Sequence, residues 1–249
     1  MPEAALLALA HNVAVLIAMG LAFHALPDDW LLRRTPARQA ALGVLAGAMG
    51  IALMLAPWRY VPGILFDARS VLLAVTGLFF GPLAAAIAVL ATASLRLWQG
   101  GPAAVTGVAV IVVSALAGVA WRRLRRRDPE ALSPLELWLF GLAVHAAMIV
   151  IVLAMPGGRG PAVVAEIAFT LMGVFPLATA LLALLLGAWV RRARTADALR
   201  LSEERLRLAL DASHQGSFDI DLRTGEATVS EEYARMLGYD PATFRDSHQ

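Results

Sequence analysis

Six long apolar runs interrupt the polar sequence, and they constrain the fold of this chain more than any other feature. A helix needs about 20 mostly apolar residues to cross a bilayer, and five of the six runs reach that length. The composition agrees, since 59% of the 249 residues are hydrophobic, 16% are charged and the mean hydropathy is +0.68. The sequence therefore predicts an all-α polytopic membrane bundle. The runs cover residues 4–26, 40–56, 71–95, 103–121, 135–155 and 162–190.

The distribution of arginine predicts how these runs are threaded through the membrane. Short arginine-rich loops stay on the cytoplasmic side, and such arginines occur at residues 33–38, 122–127 and 191–194. Six full crossings cannot bring all three regions to one side, so one run must return to the side on which it starts. We expect the N-terminus outside and the C-terminus in the cytoplasm, with five true spans.

The run 71–95 is the candidate for that return. Gly81-Pro82 divides it into pieces of 10 and 13 residues, each only about 15 to 20 Å long and hence about half a bilayer deep. We therefore predict a re-entrant helical hairpin with its tip at Gly81-Pro82. The alternative is a single tilted helix of 25 residues, kinked at Pro82 and long enough to cross.

A re-entrant hairpin would bring Asp67, Arg69 and Arg96 together on the outer side, followed by the turn Gly100-Gly101. Two guanidinium groups at the edge of an apolar bundle repel each other and are costly to desolvate, so an anion should complete the site. Asp67 can neutralise one of them, and a small carboxylate or phosphate could bind the other through paired hydrogen bonds. Alternatively, both arginines extend to lipid headgroups and mark the membrane edge.

An ordered motif in this region resembles the LytS-type five-transmembrane sensor domain of bacterial signalling receptors. Members of that family carry Asn-x-Arg where this chain has Asp67-Ala68-Arg69, which adds a negative charge here. The resemblance implies an input domain for kinases or cyclic-nucleotide enzymes, with Arg69 and Arg96 contacting a ligand such as the carboxylate pyruvate. It also implies that the glycines and the proline are structural. The motif consists of Asp67, Arg69, Gly77, Gly81, Pro82, Arg96, Gly100 and Gly101.

Other polar or small residues within the runs have simpler interpretations. His145 and Glu166 are functional candidates because they are ionisable and intramembrane, but the favoured explanation for each is an interhelical hydrogen bond or a position at the solvent-facing rim. His11 and Asn12 could line the same cavity. Glycines at positions 43, 47 and 50 predict a close helix-packing face.

Beyond residue 190 the chain becomes charged and rich in helix formers. Leu199 and Leu206 are seven residues apart, which predicts a signalling helix over residues 191–213 that could form a homodimeric coiled coil. Residues 214–249 then alternate apolar and polar residues, turn at Thr224-Gly225 and enter a helix capped by Ser230. With SEERLRLALDAS and MLGYDP this order resembles the start of an α+β PAS domain, truncated at Gln249.

We therefore expect three regions: a transmembrane sensor domain (1–190), the signalling helix (191–213) and an incomplete PAS domain (214–249). The interpretation is a receptor that senses a small anion or a membrane signal and relays it to an output domain, either a histidine kinase or a diguanylate cyclase or phosphodiesterase. The alternative is a small-solute transporter or channel. The sequence contains no recognisable catalytic constellation, cofactor site or metal site. Cysteine is absent and the net charge is only +2, which argues against thiol chemistry and nucleic-acid binding.

Overall fold

The computed structural model describes residues 18, 20–23, 35–55, 58–61, 64–126, 128–213, 216, 218–220, 223–224 and 227–241. Most of the first apolar run, including His11 and Asn12, lies outside these residues, as do Arg33 and Arg34. The chain divides into two units, Met1–Ala193 and Arg194–Gln249, which are described separately below.

The first unit is built from helices, with one small antiparallel hairpin in which Trp58 lies opposite Phe66. Five helical stretches of the described chain are long and apolar enough to cross a membrane: Pro36–Leu55, Pro82–Gln99, Ala104–Arg125, Pro134–Leu153 and Gly160–Leu210. They confirm an all-helical, multi-pass membrane bundle. In chain order the elements are α1 (Pro36–Leu55), β1 (Trp58–Val61), β2 (Ile64–Phe66), α2 (Arg69–Phe80), α3 (Pro82–Gln99), α4 (Ala104–Arg125), a 3-10 turn (Pro129–Ala131), α5 (Pro134–Leu153), α6 (Gly160–Phe169), a π-helix (Thr170–Val174) and α7 (Phe175–Ser213).

The break between α2 and α3 occurs where the sequence predicts it. Gly81 has a φ of +88°, a conformation that glycine adopts without a steric penalty. Pro82 then occupies the first turn of α3, where its missing N–H leaves no helical hydrogen bond unmade. The helix therefore breaks at Gly81-Pro82, where the sequence predicts the tip of the hairpin.

Helix α2 forms the centre of the bundle. All twelve of its residues are buried, including the polar side chains of Arg69, Ser70 and Thr76. A helix that is apolar around its whole circumference is stable only when other elements surround it. The buried hydroxyl of Thr76 is satisfied within the helix, because it donates to the Leu72 carbonyl at 2.8 Å.

Close glycine contacts show that α1 and α3 run in the same direction. A Cβ built on Gly43 would lie 2.8 Å from Ala84 O, and one on Gly47 would lie 3.0 Å from the Ala91 side chain. Near the far ends of both helices, Gln99 donates to the Met54 carbonyl at 3.2 Å. The predicted glycine packing face of α1 is thus confirmed, and its partner is α3.

Helices α2 and α4 also run in the same direction. A Cβ on Gly77 would lie 3.0 Å from Val119 N, against the last third of α4. Further along, the Arg122 guanidinium donates to the Phe79 carbonyl at 2.8 Å and to the Leu78 carbonyl at 3.2 Å. Arg122 therefore satisfies carbonyls at the C-terminal end of α2 that lack helical partners.

The directions of helices α1 to α4 show that the hairpin tip lies deeper in the bundle than the sequence predicts. Its tip at Gly81 lies at the level of Arg122, at the arginine-rich end of α4, instead of halfway along the bundle. The second leg, α3, has 18 residues and is about 27 Å long, close to the thickness of the hydrocarbon core. The second leg is therefore longer than predicted, because α3 continues without interruption through Arg96 to Gln99, whereas α2, with 12 residues, has about the predicted length.

Helices α2 and α3 together nevertheless produce no net change of end, so the chain returns to the end of the bundle at which α2 begins. Arg38 at the start of α1 lies at the same end as the hairpin tip, and so does Arg122 at the end of α4. Arg191 of α7 donates to the Glu130 carbonyl in the adjacent loop. Arg38, Arg122 and Arg191, one from each predicted loop region, therefore lie at one end of the bundle.

The second unit contains part of α7, a two-stranded antiparallel sheet and a short helix. Strands β3 (Phe218–Ile220) and β4 (Ala227–Val229) pair with Phe218 opposite Val229. Helix α8 (Glu231–Met236) follows, and the Ser230 hydroxyl accepts from the Tyr233 N–H at its start, as predicted. Among the residues that the structure describes here, these elements do not amount to a PAS fold.

Candidate functional site

A small cavity lies at the end of the bundle opposite the arginine-rich loops. It measures about 30 Å³, and a water molecule needs about 10 to 15 Å³ on this measure. In this conformation the cavity therefore has room for about two waters. Polar groups from α2, α3 and α4 face apolar side chains of α5 across it. The lining residues are Asp67, Arg69, Ser70, Arg96, Ala103, Thr106, Gly107, Val110, Met148, Val152 and Met155.

Asp67 and Arg69 form a compact buried pair at the start of α2, each only 5% exposed. The Asp67 carboxylate accepts the Arg69 backbone N–H at 3.0 Å through Oδ1. Its Oδ2 lies 3.5 Å from Arg69 Nη1, and neither of these two atoms has a hydrogen-bond partner among the described residues. A carboxylate at this position also interacts favourably with the positive end of the α2 dipole.

Arg96 reaches the same cavity from the last turn of α3 and is 1% exposed. Its Nη1 donates to the Gly100 carbonyl at 2.9 Å, so the turn after α3 holds the guanidinium. The side chain lies flat on Gly107 of α4, where a Cβ would be 2.6 Å from Arg96 Nε. A residue larger than glycine at position 107 would displace Arg96.

Ser70 connects the cavity to α5. His145 Nδ1 lies 2.7 Å from the Gly141 carbonyl, and because a carbonyl can only accept, Nδ1 carries the proton. Nε2 of the neutral ring is then an acceptor, so the Ser70 hydroxyl donates to it at 3.2 Å. The interhelical hydrogen bond weighed for His145 from the sequence is thus present.

The His145 ring also contacts the start of α7. Its centroid lies 5.4 Å from that of Phe175, in an edge-to-face arrangement. One turn earlier in α5, a Cβ on Gly141 would lie 2.8 Å from Pro176 Cα. Phe175 directly follows the π-helix Thr170–Val174, and π-helical turns are frequent at functional sites.

The structure brings Asp67, Arg69 and Arg96 to one cavity, as the sequence predicted. The other motif residues support that arrangement from outside it: Gly77 packs on α4, Gly81 and Pro82 form the hairpin tip, and Gly100 and Gly101 have positive φ in the turn after α3.

Glu166 does not line the cavity and is exposed on α6. The sequence interpretation missed the contributions of Ser70, Thr106 and Gly107. Ser70 could have been suspected from its position next to Arg69. Gly107 carried no signal, because its role depends on which helix packs against it.

Comparison with known protein families agrees with this geometry. The family model described as 5TMR of 5TMR-LYT matches residues 7–188. This range is well over half of the chain and includes every residue that lines the cavity. Comparisons with curated proteins and with solved structures give no match. The chain therefore belongs to the 5TMR-LYT family, and residues 7–188 are a five-transmembrane sensor domain of that type.

Proposed function

We propose that the sensor domain detects a small anion that binds between Arg69 and Arg96. The observation that carries this proposal is the cavity lined by two buried guanidinium groups. Two buried guanidinium groups beside the one carboxylate among the described lining residues are favoured by a further anion that completes the site. Guanidinium groups bind carboxylates through paired hydrogen bonds, and the apolar wall of α5 suits the carbon skeleton of a small carboxylate such as pyruvate. A ligand of that size must widen the cavity, so its binding requires a conformational change of the bundle.

Isothermal titration calorimetry on the purified chain with a panel of small carboxylates tests this proposal. We expect saturable binding of at least one of them to the wild type and a loss of at least tenfold in affinity for Arg69→Ala and Arg96→Ala. Arg123→Ala is the matched control, since Arg123 is exposed and does not line the cavity. If both cavity variants bind as tightly as the wild type, the anion site does not exist.

The signal would leave the cavity through Ser70 and His145. Ser70 lines the cavity and donates to His145, and the His145 ring packs on Phe175 at the start of α7. A ligand that engages Arg69 shifts α2 and hence Ser70, which changes how His145 packs against α7. The adjacent π-helix supplies a turn at which α7 can change register.

A spin label tests this route, because the chain has no cysteine and one can be introduced at Arg192 in α7. With the best carboxylate from calorimetry, the wild-type background should show a ligand-dependent spectral change. His145→Leu should bind within about threefold of the wild type but lose most of that change. A full response in His145→Leu, with normal binding, would rule the route out.

We further propose that the arginine-rich end faces the cytoplasm of a bacterial inner membrane, as the charge rule favours. Labelling of single cysteines at Gln99 and Arg126 from either side of sealed cells tests this orientation. Gln99 should react with an impermeant reagent from outside, and Arg126 only after permeabilisation. The reverse labelling pattern would show that the arginine-rich end faces outward.

Residues 194–213 of α7 would carry the signal onward as a homodimer to a PAS domain and then to a kinase or a cyclic-di-GMP enzyme. The support is the exposure of Leu199 (59%) and Leu206 (62%), one heptad apart on this helix. The order β3, β4, α8 also agrees with the resemblance to the start of a PAS domain. A small-solute transporter is the competing function, and carboxylate counterflow in proteoliposomes would favour it over a sensor.

A further inference from the structure

We infer that Asp67 makes the cavity selective for anions that carry a single negative charge. This inference rests on the proposed anion-sensing function and specifies the class of ligand. Among the residues that the structure describes, the charged side chains that line the cavity are Asp67, Arg69 and Arg96, which together carry a formal net charge of +1. A monoanion brings the site to neutrality, whereas a dianion leaves an excess negative charge.

Burial makes this charge balance matter. Asp67, Arg69 and Arg96 are all at most 5% exposed, and the cavity is too small for a full hydration shell around an excess charge. Charges interact more strongly in such surroundings than in water, because the effective dielectric constant is lower. An uncompensated charge on the ligand is therefore strongly disfavoured.

The position of Asp67 is determined by its contacts at the start of α2. Oδ1 accepts the backbone N–H of Arg69 at 3.0 Å, while Oδ2 faces the Arg69 guanidinium at 3.5 Å. The carboxylate is thus held by the backbone and cannot swing away without breaking a buried hydrogen bond. When a ligand reaches Arg69, the Asp67 charge stays beside it and opposes any second negative charge on the ligand.

The test compares acetoacetate with malonate at about pH 8, where malonate is doubly ionised. The two have the same number of non-hydrogen atoms, and malonate carries an oxyanion where acetoacetate has a methyl group. Calorimetry in chloride-free buffer should show the wild type binding acetoacetate at least tenfold more tightly. Asp67→Asn should move the ratio at least tenfold towards malonate, because a unit charge within about 7 Å changes a binding constant by more than that factor.

The asparagine introduced by Asp67→Asn is nearly isosteric with the aspartate and keeps a side-chain oxygen to accept the Arg69 N–H, so the start of α2 should be preserved. Glu166→Gln is the control, since it removes one carboxylate outside the cavity and should leave the ratio unchanged. If the ratio of the two affinities in Asp67→Asn stays within twofold of the wild-type ratio, the charge selection is wrong but the anion site stands. A wild type that binds malonate more tightly than acetoacetate also shows that the charge selection is wrong. If neither the wild type nor Asp67→Asn binds any carboxylate, both this inference and the proposed function fail.

Discussion

Replacing Gly118 with alanine should separate the two helices at the centre of the bundle. Gly118 lies on α4 against the backbone of α2, where an added Cβ would contact the Ala74 carbonyl and lie 2.8 Å from Leu78 N. Gly77 makes the reciprocal approach, with a built Cβ 3.0 Å from Val119 N. Both neighbours are backbone atoms, which cannot rotate away as a flexible side chain could.

The magnitude follows from the overlap. Ordinary Cβ contacts begin at about 3.4 Å, so α2 and α4 would have to move apart by more than about 0.6 Å at Leu78. Overpacking of this kind costs about 1 to 3 kcal/mol, and we expect the upper part of that range because α2 is buried along its whole length. Alanine regains about 1 kcal/mol through its higher helix propensity. The expected net loss in the free energy of unfolding is therefore about 1 to 2 kcal/mol.

Thermal unfolding in one detergent, followed by the fluorescence of the six tryptophans, measures this effect. Gly173→Ala is the matched control, because the nearest atoms to its built Cβ belong to the Phe169 ring at 3.8 Å or more. Gly173→Ala should unfold at or above the wild-type temperature, and Gly118→Ala several degrees below it. If Gly118→Ala proves as stable as Gly173→Ala, the close approach of α2 and α4 is not as described.

Three further predictions concern other contacts of the bundle and its helix. Arg122→Met should lower the free energy of unfolding by about 1 to 3 kcal/mol, because it leaves carbonyls at the end of α2 without donors; equal unfolding temperatures for Arg122→Met and the exposed-site control Arg123→Met would contradict this. Gly43→Leu should destabilise the bundle at least as much as Gly118→Ala, since its side chain would meet the α3 backbone, and the same unfolding assay would expose a neutral result. Oxidation of single-cysteine variants in membranes should crosslink Leu199→Cys into a dimer but not Leu201→Cys, which lies on the opposite side of the helix; equal crosslinking of the two would argue against a specific coiled coil.

The position of the hairpin could be predicted from the sequence, but its depth in the bundle could not. Glycine followed by proline restricts the local backbone so strongly that a break at Gly81-Pro82 could be predicted without any tertiary information. The depth of that break could not, because it depends on where α3 ends, and the apolar pattern does not distinguish Leu95 from Gln99 as the last helical residue. Only the donation from Arg122 to α2 places the hairpin tip at the arginine-rich end.

The sequence by itself determined that this chain is a multi-pass helical bundle, because long apolar runs cannot be solvated in water and must satisfy their backbone internally in lipid. It also predicted that Arg69 and Arg96 meet, since the arginine-rich loops favour a topology in which one run returns to its starting side. Tertiary structure decided how the pair is held: Arg96 lies on Gly107, Asp67 is bound by the Arg69 backbone, and Ser70 reaches His145. Ser70 and His145 are 75 positions apart, and their bond and the contact of Arg96 with Gly107 arise from helix packing, which local sequence patterns do not encode.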